Sequence, residues 1–283
     1  MRRISYSHLA FAVLVAGLLA STAAFAGDGR TCPGNTPNPN SAKVNLRVFN
    51  DCPTATATDV NGYPANVQVT NGNDDCFGGL NRHTWEFSTD GGVTSAPFEN
   101  CSYYHYCADF SIDGNGNGEG GLEVSPWWAE NTDGQFMVNA EAGHVPAGEI
   151  ACFGGRLPFY SFTVNFGLHY VIGQVAHMDI VYNPHSLAAA DPATITYSIS
   201  INGGPTFSSG PLPFDQGNAT EDPPHGLWGE LVPAHAGGYF QQQGGNGVPQ
   251  MLVATWRNIC YENLGSPTAT EKATWGRLKT LYR

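Results

Sequence analysis

Positive charge is the scarcest commodity in this chain. Twelve lysines and arginines face twenty-four acids over 283 residues, giving a formal charge of −12. Four of the basic residues, Lys272, Arg277, Lys279 and Arg283, sit in the last twelve positions, so the body is more acidic still. A nucleic-acid partner needs a basic footprint against phosphate, and none is present. No apolar run beyond the first residues approaches the length of a membrane span. Cys-x-x-Cys and His-x-x-x-His spacings are missing, which removes the usual zinc signatures. There is no Gly-x-Ser-x-Gly elbow, and no cysteine stands beside a histidine in a recognisable motif, so serine and thiol hydrolysis have no support. Charged residues make up only 13%, few for a protein built of surface helices.

Glycine and proline are abundant instead, at 35 and 19 residues. Short alternating apolar runs separated by such residues point to a turn-rich β protein. Residues 1–26 read as a secretory signal: Arg2 and Arg3, an apolar stretch from Leu9 to Leu19, then Ala24-Phe25-Ala26 as a cleavage site. Residues 27–43 read as a flexible linker rich in Gly, Asn and Pro. Residues 44–265 form one large β domain, with about twelve to fourteen short strands expected. Among them are Val44–Phe49, Thr84–Phe87, Gln135–Val138, Leu168–Ile172 with Val175–Tyr182, Thr194–Ile201, Leu227–Leu231 and Met251–Tyr261. Residues 266–283 are a C-terminal amphipathic tail, with Trp275, Leu278, Leu281 and Tyr282 at helical spacing behind Thr270. The fold class is therefore all-β: a two-sheet antiparallel sandwich of jelly-roll type, with a short C-terminal helix.

All seven cysteines, Cys32, Cys52, Cys76, Cys101, Cys107, Cys152 and Cys260, follow the leader. An exported chain makes disulfides the default and leaves one thiol over. Cys101 with Cys107 and Cys52 with Cys76 are close enough in sequence to form local loops. The expected setting is extracellular or periplasmic, in a bacterial context.

The most informative stretch is Asp109–Trp128. Glycines alternate there with Asp113, Asn115, Asn117 and Glu119, then Leu122-Glu123-Val124 runs into Pro126-Trp127-Trp128. Three readings compete. Alternating oxygen side chains at Asp113, Asn115, Asn117 and Glu119 suit calcium, although position twelve of an EF-hand would be Val124 and no flanking helix exists. Exposed tryptophans suit an apolar sugar face. Glu119 and Glu123 share one face of a strand and are candidate catalytic acids. Trp127 or Trp128, Tyr160 and Arg156 form a candidate sugar platform, and His225, in the loop Asp222–Gly226, is a further candidate ligand contact. Trp85, Trp228 and Trp256 are expected in the core, and His169 and His177 are expected as structural residues within strands.

His177–Pro184, Ala254–Asn263 and the strand Trp85-Glu86-Phe87 together resemble the concanavalin A-like lectin/glucanase superfamily, over Val44 to Tyr261. The resemblance implies stacked antiparallel sheets, a sugar-binding groove and, in many members, calcium. Catalytic members carry Glu-x-Asp-x-x-Glu or Glu-x-Asp-x-Glu. The nearest match here is Glu119–Glu123, with Gly121 at the middle acid's place. Four strand residues span about 13 Å. Glycosidase carboxyls stand about 5 Å apart when retaining, or about 6.5–9.5 Å when inverting. The expected function is thus non-catalytic binding of a neutral glycan or cell-surface polysaccharide. The alternatives are a glycoside hydrolase or lyase on the same fold, and a structural, self-assembling component of the cell envelope or an extracellular fibre.

Overall fold

The computed structural model describes residues 37–73, 79–99, 102–124, 134–154, 158–185, 191–213, 233–244 and 249–265. In chain order the elements are β1 (Ser41–Asn50), β2 (Thr56–Gly62), β3 (Asn66–Asn73), β4 (Leu80–Ser88), β5 (Phe98–Glu99), β6 (Tyr104–Asn115), β7 (Asn117–Val124) and β8 (Gly134–Asn139). They continue as β9 (Ile150–Phe153), β10 (Tyr160–Ser161), a short helix α1 (Phe162–Phe166), β11 (Ala176–Asn183) and β12 (Thr194–Ile201). The last are β13 (Phe207–Pro213), β14 (Pro233–Ala234), β15 (Ala236–Gln243) and β16 (Gln250–Asn263).

Two seven-stranded sheets stack to form an antiparallel sandwich of jelly-roll type, ordered β1-β4-β15-β7-β8-β9-β10 and β13-β12-β11-β6-β16-β3-β2. The chain moves from the second sheet to the first at Gly116, between β6 and β7. Alternation assigns the faces. Trp85 and Phe87 of β4, Leu122 and Val124 of β7, and Phe136 and Val138 of β8 point inward. They meet Phe110, Ile112, Met178, Ile180 and Trp256 of the second sheet, all fully buried. Edge-on aromatic pairs join the sheets, such as Trp85 with Trp256 at 6.2 Å and Phe87 with Tyr106 at 5.4 Å. Such pairs add roughly 0.5–1.5 kcal/mol beyond area burial. A polar contact also crosses the core: Asn71 of β3 donates to Gln242 of β15 at 2.9 Å.

The glycines of β7 have a packing cause. A Cβ on Gly118 would lie 2.8 Å from Leu252 Cδ1, and one on Gly120 would lie 2.7 Å from Phe110 Cζ. The second sheet's side chains rest directly on the β7 backbone, and Trp256 Nε1 donates to Gly121 O at 2.8 Å. Trp85 and Trp256 are core, as their strand context implied.

Three expectations are corrected. Leu168–Ile172 is not a strand. α1 ends at Gly167 in the left-handed conformation, and the chain then loops until β11. The loop is pinned because the Tyr170 hydroxyl accepts from Ile112 N at 2.8 Å and donates to Gln174 O at 3.0 Å. His169 therefore lies in a loop, where its Nδ1 stands 2.7 Å from Ala147 O. Finally, Cys107 does not close a local loop with Cys101. It is bonded to Cys260, 153 residues away, because β6 and β16 pair in a register that sets these two residues opposite each other with a Cα separation of 5.0 Å. Cys52 is also disulfide-bonded, and Cys152 is the buried free cysteine among the described residues. Cys76, Cys101, the leader, Leu227–Leu231 with Trp228, and the tail 266–283 lie outside the described residues.

Candidate functional site

The outer face of the first sheet carries an unusual concentration of polar side chains. Period-two alternation puts Glu119 and Glu123 of β7 on this face, as the spacing predicted. β15 lies between β4 and β7 and brings Tyr239 opposite Gly121 and Gln241 opposite Glu119. β8 sets Asn139 opposite Glu119 on the other side. Gln241, Glu119 and Asn139 thus form one row across three strands, and Arg82 of β4 extends it, standing opposite Gln241.

The side chains in this patch are mutually engaged. Arg82 Nη2 lies 3.0 Å from Glu123 Oε2, an ion pair with side-chain exposures of 10% and 1%. Its guanidinium sits over the Tyr239 ring, 4.5 Å from the centroid, a cation–π contact in a desolvated place. The Tyr239 hydroxyl donates to Glu119 Oε1 at 3.5 Å, and Asn139 Nδ2 donates to Glu119 Oε2 at 3.3 Å. The two carboxylates are therefore linked through one tyrosine and one arginine. Beyond Asn139 the acidity continues: His144 Nε2 is 2.8 Å from Glu149, and His144 Nδ1 is 3.9 Å from Glu141.

Burial raises the Glu119 carboxyl above its ordinary value, helped by the Glu141 charge and opposed by Arg82, Asn139 and His144. Burial likewise raises Glu141. The Tyr239 phenol is pushed well up, first by burial and then by Glu119. Chemically, the patch offers a half-buried carboxyl that holds its proton more tightly than in water, beside a fixed guanidinium and a buried phenol hydroxyl.

Gly121 explains why no third acid stands between the two. A Cβ there would lie 2.1 Å from Phe136 O and 2.9 Å from Met178 Cε. β8 and the second sheet leave no room for a side chain.

The remaining sequence candidates fall elsewhere. Trp127, Trp128, Arg156 and His225 lie outside the described residues. Tyr160 pairs with Cys152 on the core side of the first sheet, its ring edge-on to Phe162 at 5.0 Å. It does not share the face of Glu119. Of the calcium candidates, Asp113 is exposed and its carboxylate accepts from Ser111 Oγ at 3.2 Å. Asn115 Oδ1 accepts from Met251 N at 3.3 Å, and Asn117 Oδ1 accepts from Ala142 N at 2.9 Å. Those two oxygens are engaged by backbone donors, and Glu119 is drawn to Tyr239 and Asn139. Sequence reading missed Arg82, Tyr239 and Asn139. Arg82 had one signal, as a rare cation at the centre of a strand pattern; the other two had none.

No protein-family model matches this chain, and no curated protein matches it. Among solved structures it is similar to a basic winged bean lectin with Tn-antigen, at 10% identity and TM-score 0.42, over 83% of this chain and 98% of that one. It is also similar to an alginate lyase from Corynebacterium sp., at 13% identity and TM-score 0.39, over 78% and 94% of the two chains. A third is the carbohydrate-binding module CBM66 from Bacillus subtilis, at 10% identity and TM-score 0.37, over 79% and 97%. No helix among the described residues is long and apolar enough to cross a membrane.

Proposed function

We propose that the protein binds a neutral glycan on the outer face of its first sheet, around Glu119. The observation that carries this reading is the cross-strand row of Arg82, Gln241, Glu119 and Asn139, in which Gln241 and Glu119 are half-exposed and are held by the buried Arg82, Asn139 and Tyr239. A sugar ring needs donors and acceptors held in fixed positions around its hydroxyls, and a sheet face supplies them with little loss of side-chain freedom on binding. Arg82, buried and paired with Glu123 over the Tyr239 ring, holds the row in place from beneath. The formal charge of −12 on the chain would repel a uronate, so neutral sugars are preferred. Trp127 and Trp128 follow β7 closely in sequence and are proposed as the stacking surface. The leader-like residues 1–26 and the Cys107–Cys260 disulfide support action outside the cytoplasm.

Cleavage of the bound glycan is the second reading. It is favoured by one observation: the raised Glu119 carboxyl lies against the Tyr239 hydroxyl and next to an arginine-held Glu123. A carboxyl whose hold on its proton is strengthened by burial is suited to general-acid work.

An array of neutral and uronate oligosaccharides probed with the purified protein tests the first reading. Binding to neutral members is expected, and silence across all of them refutes it. New reducing or unsaturated ends released from a bound polysaccharide would establish the second.

A further inference from the structure

The opposite face of the molecule carries a second cluster. On the outer face of the second sheet, β6 presents His105, Cys107 and Asp109. β11 presents His177 and Asp179 beside them, with His177 opposite Asp109 and Asp179 opposite Cys107. β16 contributes Cys260, opposite Cys107, and Asn258. His105, Cys107 and Cys260 each offer a ligand atom within 4.8 Å of the others, and so do Cys107, His177 and Asp179. The two groups share Cys107.

His177 Nδ1 lies 2.7 Å from Asp109 Oδ1, and its Nε2 lies 3.3 Å from Asp179 Oδ2. With Nδ1 held by Asp109, Nε2 is the ring nitrogen on which a cation beside Cys107 would sit. The Asp109 carboxylate already has the form of an outer-shell partner: Asp109 holds His177 Nδ1, and Asp109 Oδ2 is itself fixed by Asn258 Nδ2 at 2.7 Å. Metal-binding histidines are oriented by this kind of second partner. Asp179 Oδ1 also takes His105 Nε2 at 2.9 Å, which orients that ring and leaves its Nδ1 for a metal.

We propose that opening the Cys107–Cys260 disulfide turns this face into a zinc site, with Cys107, Cys260, His105 and His177 as ligands. Two sulfurs and two imidazoles are a donor set that zinc takes in tetrahedral geometry. In the disulfide state the sulfurs are spent on each other, so the bond and the metal exclude one another. The chemistry balances with a dithiol reductant. It gives two electrons and two protons to the S–S bond and closes to its own disulfide. The Cys107 and Cys260 thiols then each release a proton to solvent as zinc binds. Cys260 is half-buried, open enough for a small reductant.

The test uses the full chain, metal-free, with cobalt(II) as a spectroscopic substitute for zinc. After reduction the protein should bind one equivalent, with a thiolate-to-cobalt charge-transfer band that added zinc abolishes. The oxidised protein should show no band. Cys107→Ser/Cys260→Ser should lose the band under the same reduction. His105→Ala keeps the disulfide, so its folding is checked in the oxidised form, and its reduced form should bind cobalt more weakly. Asp109→Asn should weaken binding roughly tenfold or more through the second shell. A band that persists in the double serine variant would assign the metal to other thiols and overturn the proposal, as would its absence from the reduced protein.

Discussion

Placing one methyl group on Gly121 tests the packing that shapes the site. In Gly121→Ala the new Cβ would lie 2.1 Å from Phe136 O and 2.9 Å from Met178 Cε. Neither neighbour can simply swing away: Phe136 O belongs to the β8 backbone and Met178 is fully buried in the core. Forcing extra volume into such a place costs about 1–3 kcal/mol. The shift also endangers the bond from Trp256 Nε1 to Gly121 O, with a net value of about 1 kcal/mol. The sum is about 2–4 kcal/mol, which for a domain of this size lowers Tm by roughly 5–15 °C. Gly121→Asp should be worse, since it adds a carboxylate where there is no room for a methyl. Gly203→Ala is the control. Gly203 has φ of 67° but nothing within 4 Å of its Cβ, so only backbone strain of about 1 kcal/mol is expected. Thermal melts of the three variants decide. A Gly121→Ala protein that melts with the parent would refute the claim that close sheet packing excludes a third acid.

Two further predictions concern the site and the corrected loop. The folded state raises the Glu119 carboxyl. Its stabilising contribution is complete below the ordinary carboxylate value and is lost as pH rises through the folded value. Glu119→Gln should therefore raise Tm at neutral pH, with the gain fading in acid; a uniform loss of Tm would contradict this. Tyr170→Phe removes a hydroxyl that serves Ile112 N and Gln174 O. It should cost about 1–3 kcal/mol and speed amide exchange at Ile112, and unchanged exchange there would show that the hydroxyl does not anchor the loop.

What the sequence made legible was local. Alternation along β7 was enough to put Glu119 and Glu123 on one face, and alternation in β4 and β16 put Trp85 and Trp256 in the core. The partners of those glutamates were not legible, because they depend on β15 inserting between β4 and β7. Nothing near Tyr239 in the chain says that it will stand opposite Gly121, more than a hundred residues earlier. The glycine run was read through its oxygen-bearing neighbours, whereas Gly118, Gly120 and Gly121 answer to side chains of β6, β16 and β11 and to the β8 backbone. Leu168–Ile172 has strand composition, but the left-handed Gly167 and the Tyr170 anchor hold it as a loop. The Cys107–Cys260 pairing is likewise a product of strand register, invisible to spacing.

The most direct measurement is affinity electrophoresis through gels containing neutral polysaccharides, comparing the parent protein with Gln241→Ala and Glu119→Gln. Both positions are half-buried on the outer face of the first sheet, so the variants should keep the parent's fold by circular dichroism. The account predicts that at least one neutral polysaccharide retards the parent and that each substitution restores mobility. Retardation equal in all three proteins would locate binding elsewhere, and free migration of the parent in every gel would contradict glycan binding altogether.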